Sequence, residues 1–221
     1  MKLPELRTLT GEGPQGMHEL LIHGGRVVAA TGVESADLLI DGGRITALLP
    51  RRSSVDAARH IDASGRLLFP GLVDGHVHFR EPGLTHKEDF ASGTRAAIAG
   101  GVTTALVMPT DEPWTETFAE FEEKRANLAG RIHCDVGLQV AVSPRPADLV
   151  QLASQGAASF EIFTYDVAEQ FLHASAASIA AAVRAVAEAG GIAAVSPGDQ
   201  SLHLASIDQL PPPPRTAADY V

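Results

Sequence analysis

The sequence predicts an α/β protein, an incomplete TIM-type (β/α) barrel of about five strand–helix units preceded by a small β domain. Three observations predict it. From residue 69 onward, apolar strand-like runs alternate with amphipathic helical ones, the rhythm of a parallel sheet with right-handed crossovers. Glycines stand at the helix-to-strand crossings, at Gly100–Gly101, Gly130, Gly156 and Gly190–Gly191, where a chain leaving a helix adopts the left-handed conformation. Residues 19–68 instead carry short β-rich runs between turn residues, too little for a large core of their own.

In chain order, residues 1–18 read as an irregular extension holding Pro4, Gly11, Gly13, Pro14 and Gly16, with Met17 offering a second start. No apolar core of a signal peptide is visible there. In the β domain, 19–68, Leu20–His23 and Arg26–Ala30 flank Gly24–Gly25. Asp37–Ile40 and Arg44–Leu49 flank Asp41–Gly42–Gly43, a hairpin signal, and Ile61–Gly65 reads as a turn. The barrel part, 69–221, opens with a strand over Gly71–Phe79 and a helix over His86–Ala99. A strand at Thr103–Met108, an acidic helix at Thr115–Leu128, a strand at His133–Val142 and a helix at Pro146–Ser154 follow. Ser159–Thr164 is the fourth strand, Val167–Ala189 a long Ala-rich helix, and Ile192–Val195 the fifth strand. Beyond Gly198 the pattern fades, and Pro211–Pro214 reads as an extended run.

The chain has 221 residues, 17 Lys+Arg against 27 Asp+Glu, and a formal net charge of −10. Such an acidic surface argues against nucleic acid or an anionic membrane as partner. Cys134 is the single cysteine, so no internal disulfide forms, and it reads as a small buried hydrophobe. With no apolar run approaching the ~20 residues of a membrane span, the expectation is a cytoplasmic protein. A closed (β/α)₈ barrel typically takes ~250 residues, and the part after the β domain is far shorter. Five strands fit it and eight do not.

The sharpest local signal is Asp74-Gly-His-Val-His-Phe-Arg-Glu-Pro-Gly83. Residues two apart on a strand share a face, so His76 and His78 project together with Val77 turned away. Two imidazoles at the C-terminal end of a parallel strand are placed either to ligate a divalent metal such as zinc or simply as polar strand-end groups. Arg80 offers a bidentate match for a carboxylate, or an ion pair with Glu81 or Asp89. His133, His173 and His203 lack partners at ligand spacing. Trp114 reads as a packed loop aromatic, and Glu116, Glu120, Glu122 and Glu123 as an exposed helix face.

The stretch from Phe69 to Gly83, continuing through Thr104, resembles the cyclic amidohydrolases of the amidohydrolase superfamily, and among them most of all the dihydroorotase branch. The early β unit with Asp41-Gly-Gly-Arg-Ile45 is similar to that family's small β domain. The resemblance implies a metal-dependent hydrolase that makes or opens a cyclic amide between N-carbamoyl-aspartate and dihydroorotate, with zinc as cofactor. It implies His76 and His78 as metal ligands and Arg80 on the substrate carboxylate. Thr110 of Met108-Pro-Thr-Asp111 takes the place of a substrate-contacting Asn. Glu161 in Ser159-Phe-Glu-Ile-Phe163 takes that of a carboxylated Lys bridging two metals. A glutamate still offers an anionic carboxylate but reaches less far, so the expectation is one ion; the alternative is a strand-end ion pair.

Ser196 stands where the family brings a His, with Asp199 as a substitute oxygen ligand or an ordinary turn residue. The family's later His and its general-base Asp have no counterpart in the 221 residues, so no catalytic residue is assigned and impaired activity is expected. The alternative is a catalytically inactive or truncated homologue serving as partner subunit or fragment. A small cyclic amide or ureido acid is the expected substrate. Self-association or a partner chain is expected over the open barrel edge.

Overall fold

The computed structural model describes residues 16–51 and 54–212. Most of the expected N-terminal extension and the end of the proline run lie outside the described residues. Two compact units divide at Pro70/Gly71.

The first unit holds seven short strands: β1 His18–His23, β2 Arg26–Ala29, β3 Gly32–Glu34, β4 Ala36–Asp41, β5 Arg44–Pro50, β6 Ala57–Asp62 and β7 Leu67–Leu68. They form a sheet in the order β5-β4-β1-β6 and a second in the order β3-β2-β7. The Asp41-Gly42-Gly43 turn joins β4 to β5 as an antiparallel hairpin, as its sequence predicts. Leu21, Leu39, Ala47 and Leu49 make this unit's small core. β6 replaces the start of the expected turn at Ile61. Its Arg59, His60 and Asp62 hide the strand from a hydrophobicity reading, yet it pairs in parallel with β1 from His18↔Ala57 to His23↔Asp62.

The second unit carries β8 Leu72–Val77, β9 Val102–Val107, β10 Asp135–Ala141, β11 Ser159–Phe163 and β12 Ala193–Ser196. These five strands lie parallel and in chain order, each paired only with its sequence neighbours. The helices α1 Phe90–Ala99, α2 Phe118–Ala126, α3 Leu149–Ser154 and α4 Ala176–Glu188 follow the first four strands. This is the open, curled sheet of an incomplete (β/α) barrel. Its core lies between sheet and helices, where Phe79, Val107, Val140, Phe160 and Ile162 meet Phe90, Phe121, Leu152 and Val186. Cys134 packs against this core, and burial together with Asp135 pushes its thiol up, away from nucleophilic use.

The helices are shorter than their sequence patterns suggest, because side-chain caps set where they begin. Asp89 accepts the Ser92 N–H at 2.7 Å, so α1 starts at Phe90 and not at His86. Thr117 and Glu120 close a reciprocal capping box that starts α2. The expected long helix over Val167–Ala189 is broken. A 3₁₀ turn covers Glu169–Phe171, and Leu172 bridges to Phe163 before Ser175 caps α4. The break buries His173, whose Nε2 lies 2.8 Å from the Val142 carbonyl and whose Nδ1 lies 2.8 Å from Ser178 Oγ. That histidine is a structural crosslink. Residues after Gly198 form a further helix, α5 Gln200–Asp208. Asp199, the sequence's alternative oxygen ligand, caps it by accepting the Ser201 and Leu202 N–H groups. None of α5 is buried, and Leu202, Leu204 and Ile207 stay exposed.

Lys124 of α2 is 0% exposed. Its ammonium donates to the Met108 carbonyl at 2.9 Å and pairs with Asp111, which is 2% exposed. Burial lowers the Lys124 pKa and raises that of Asp111, each opposed by the partner's charge. Removing one member of such a pair strands the other, at a cost of about 3–5 kcal/mol. Denaturant unfolding should therefore show Lys124→Ala destabilised by about that amount. The double substitution Lys124→Met, Asp111→Leu should lose less than Lys124→Ala alone; a loss under about 1 kcal/mol for Lys124→Ala would contradict the role given to the pair.

Candidate metal and substrate site

Strand parity builds the site. Val77 and Phe79 pack into the helix-side core, so His76 and His78 between them project from the opposite, concave face. On β11, Phe160 and Ile162 belong to the same helix-side core, which turns Glu161 to the concave face as well. The two imidazoles stand edge to face with centroids 5.3 Å apart. His76 is exposed and its N–H donates to Asp74 Oδ1 at 3.1 Å. His78 is partly buried, and Thr110 Oγ1 lies 3.0 Å from its Nδ1. Thr110 comes from the segment after β9, and the structure brings it against His78.

The remaining residues of the motif shape the loop. Glu81 is buried, accepts the Phe90 N–H at 3.0 Å and takes a fork of bonds from Arg131, with Nη2 3.1 Å from Oε2. Gly83 has φ +83°, and a Cβ there would come within 2.2 Å of the Glu112 carbonyl oxygen. Only glycine lets the two loops approach that closely. Arg80 itself sits at φ 59°, an uncommon conformation for a side-chain-bearing residue, of the kind that recurs at functional positions. The two carboxylates that sequence reading offered it are engaged elsewhere: Glu81 with Arg131, and Asp89 as the cap of α1. Among the described residues no carboxylate forms an ion pair with the Arg80 guanidinium.

Glu161 is 3% exposed, and its Oε1 accepts from Ser196 Oγ at 2.5 Å. The two positions where the resemblance implies metal ligands are thus joined to each other by a hydrogen bond. Beside them, Gln139 Nε2 donates to Ser159 Oγ at 2.7 Å. Among the described residues, no three His, Cys, Asp or Glu side chains gather closely enough to hold a metal ion. The donor set fits a divalent ion in part: His76 and His78 form a ligand pair, while Glu161 is turned to Ser196. Trp114 stacks on Phe171 at 4.2 Å and takes no part.

Lys124, Asp111 and Arg131 were not visible to sequence reading as contributors. Lys124 had one readable signal, its place three residues after Phe121 and four before Leu128, on the helix face that carries apolar side chains. Arg131 had none, since 50 residues separate it from Glu81.

Partial burial, with Arg80, His76 and Lys124 adding positive charge, holds the His78 imidazole down at about 4. The ring is neutral at pH 7 and keeps a nitrogen lone pair for a ligand. The native state therefore takes up this proton less readily than an unfolded chain titrating near 6.5, so stability falls as pH drops through that value toward 4. In metal-free protein, an NMR pH titration of His78 should give a midpoint near 4. A midpoint near 6.5 would be inconsistent with this environment.

The amidohydrolase family model matches residues 67–190. Over 152 residues the chain is 41% identical to an allantoinase of Solibacter usitatus, covering 68% of this chain and 33% of the relative. A dihydroorotase of Pediococcus pentosaceus is 42% identical over 117 residues, 52% of this chain and 27% of that protein. Among solved structures, the L-hydantoinase (dihydropyrimidinase) from Arthrobacter aurescens matches with a TM-score of 0.79 and 27% identity, over 87% of this chain and 44% of that one. The chain spans about a third of the length of these curated relatives and under half of the solved structure. No helix among the described residues is long and apolar enough to cross a membrane. With more than half of its length matched by the family model and the strand–helix order of the barrel in place, the chain belongs to the amidohydrolase family, with dihydroorotases, allantoinases and a hydantoinase as its relatives.

Proposed function

We propose that the chain carries the substrate-binding half of a dihydroorotase-type cyclic amidohydrolase, with one zinc ion on His76 and His78. Glu161, turned to Ser196 and not gathered with the two imidazoles, would have to leave Ser196 to become a third ligand. The observation that carries this reading is the Arg80 guanidinium, two residues beyond His78 and without a carboxylate partner among the described residues. Dihydroorotate bears a ring carboxylate that a guanidinium binds in a bidentate fashion. Allantoin, the substrate implied by the allantoinase relatives, bears none. An ion bound there would supply a Lewis acid for the ring carbonyl and a water acidified toward neutrality. The residues of the chain do the rest: Arg80 fixes the acid end of the substrate, and neutral His78 keeps its lone pair.

Glu161 is engaged by Ser196, which favours one metal on the histidine pair over a bridged pair. The reading assigns no general base among the described residues and includes impaired turnover by this chain. Closure of an eight-stranded barrel takes three more strands than the five present. Self-association or a partner chain is proposed along the β12 edge, where Ile192 and Val195 are exposed.

Metal analysis after purification with zinc should find about one equivalent. The double variant His76→Ala, His78→Ala should lose it, and equal zinc in that variant would sink the ligand assignment. Calorimetric titration of zinc-loaded protein should show dihydroorotate binding that weakens about thirtyfold in Arg80→Met, hydrogen bonds to charged groups being worth about 1.5–3 kcal/mol. Equal affinity in both proteins would remove Arg80 from the substrate site. A coupled assay with dihydroorotate and carbamoyl-aspartate tests the impairment, which clear turnover by the isolated chain would refute.

A further inference from the structure

The segment after β9 is fixed with unusual care for a loop. The Met108 N–H donates to the Val77 carbonyl at 2.9 Å, tying the segment's start to the strand that carries both histidines. The Met108 carbonyl accepts from Lys124 Nζ at 2.9 Å, and Asp111 pairs with the same ammonium. Farther on, the Thr115 N–H donates to the Pro109 carbonyl at 2.9 Å. Thr110 lies between these anchors, and its hydroxyl oxygen sits 3.0 Å from His78 Nδ1.

We propose that Thr110 is a positioning residue for His78, accepting a hydrogen bond from Nδ1–H so that the Nε2 lone pair is the one presented on the concave face. The buried Lys124–Asp111 pair sets Thr110 in place, and Thr110 sets the ring. This adds a role beside the substrate contact that the resemblance implies for the position. A ring nitrogen engaged by an outer partner fixes both tautomer and orientation, and losing such a partner typically weakens metal binding 10–100-fold. The inference rests on the metal-site reading above, but its first test does not need the metal.

In metal-free protein, ¹⁵N chemical shifts of the His78 ring report which nitrogen carries the proton. The wild type should show the Nδ1–H tautomer, Thr110→Ser should keep it, and Thr110→Val should give a mixture. Predominance of the Nε2–H tautomer in the wild type would overturn the proposal. With zinc and a competing chelator, Thr110→Val should bind about 10–100-fold more weakly and Thr110→Ser close to the wild type. Unchanged zinc affinity in Thr110→Val would overturn it equally. Thermal unfolding of both variants separates loss of the hydroxyl from loss of the fold. A wild type that takes up no zinc would defeat the metal reading, and the tautomer measurement would still decide whether Thr110 holds the ring.

Discussion

Lys124 gives up its hydration to hold the Met108 carbonyl and Asp111 together, and the geometry of the concave face depends on that pairing. An ammonium 0% exposed is costly unless its hydrogens are used, so the position specifies one arrangement of the segment between β9 and α2. That arrangement sets Thr110 against His78, and it sets Glu112 under Gly83 in the preceding loop. The same network joins α2 to the ends of two strands. A charge buried in the layer between helices and sheet thus reaches the opposite, functional face through two short backbone segments.

Much of this was legible in the sequence, for reasons that can be named. The five parallel strands were readable because β-branched and apolar runs sit at a regular distance from helix-ending glycines. The histidine pair was readable because a two-residue period has one outcome on a strand. What escaped were elements whose residues contradict their setting. β6 carries Arg59, His60 and Asp62, so its pairing with β1 leaves no hydrophobic trace. The break ahead of α4 has no local breaker of the Gly or Pro kind. It follows from His173, whose two ring nitrogens find partners on Val142 and Ser178 only if the chain turns extended there. Arg80's freedom was illegible for another reason. It is defined by what Glu81 and Asp89 do instead, and Glu81's partner Arg131 belongs to a distant part of the chain.

The concave face divides into two chemical halves. Toward β8 lie the neutral imidazole of His78, His76 and a guanidinium without an ionic partner, all groups that attract an outside ligand. Toward β11 and β12 the polar groups satisfy one another, Ser196 on Glu161 and Gln139 on Ser159. The substitutions at 161 and 196 make sense only together. A glutamate alone would leave a carboxylate at 3% exposure without the half-buried Ser196 hydroxyl, whereas the pair forms a short hydrogen bond. One oxygen of Gln139 remains without a hydrogen-bond partner among the described residues, so this half is close to self-sufficient without being fully satisfied.

That asymmetry bears on how the relatives are to be weighed. Allantoinases and dihydroorotases match this chain with nearly equal identity, so overall similarity does not separate them. The proposal of an acidic substrate rests instead on the electrostatics of the β8 half. The Arg80 guanidinium forms no ion pair among the described residues and depresses the protonation of His78, while its field also reaches Asp111, which Lys124 engages. An anionic ligand would meet that positive charge. A neutral heterocycle would bring the guanidinium no carboxylate. On the proposed reading, an acidic ring would bring its carboxylate to Arg80. The proposed charged substrate would therefore use a guanidinium that a neutral one would leave without an anionic ligand.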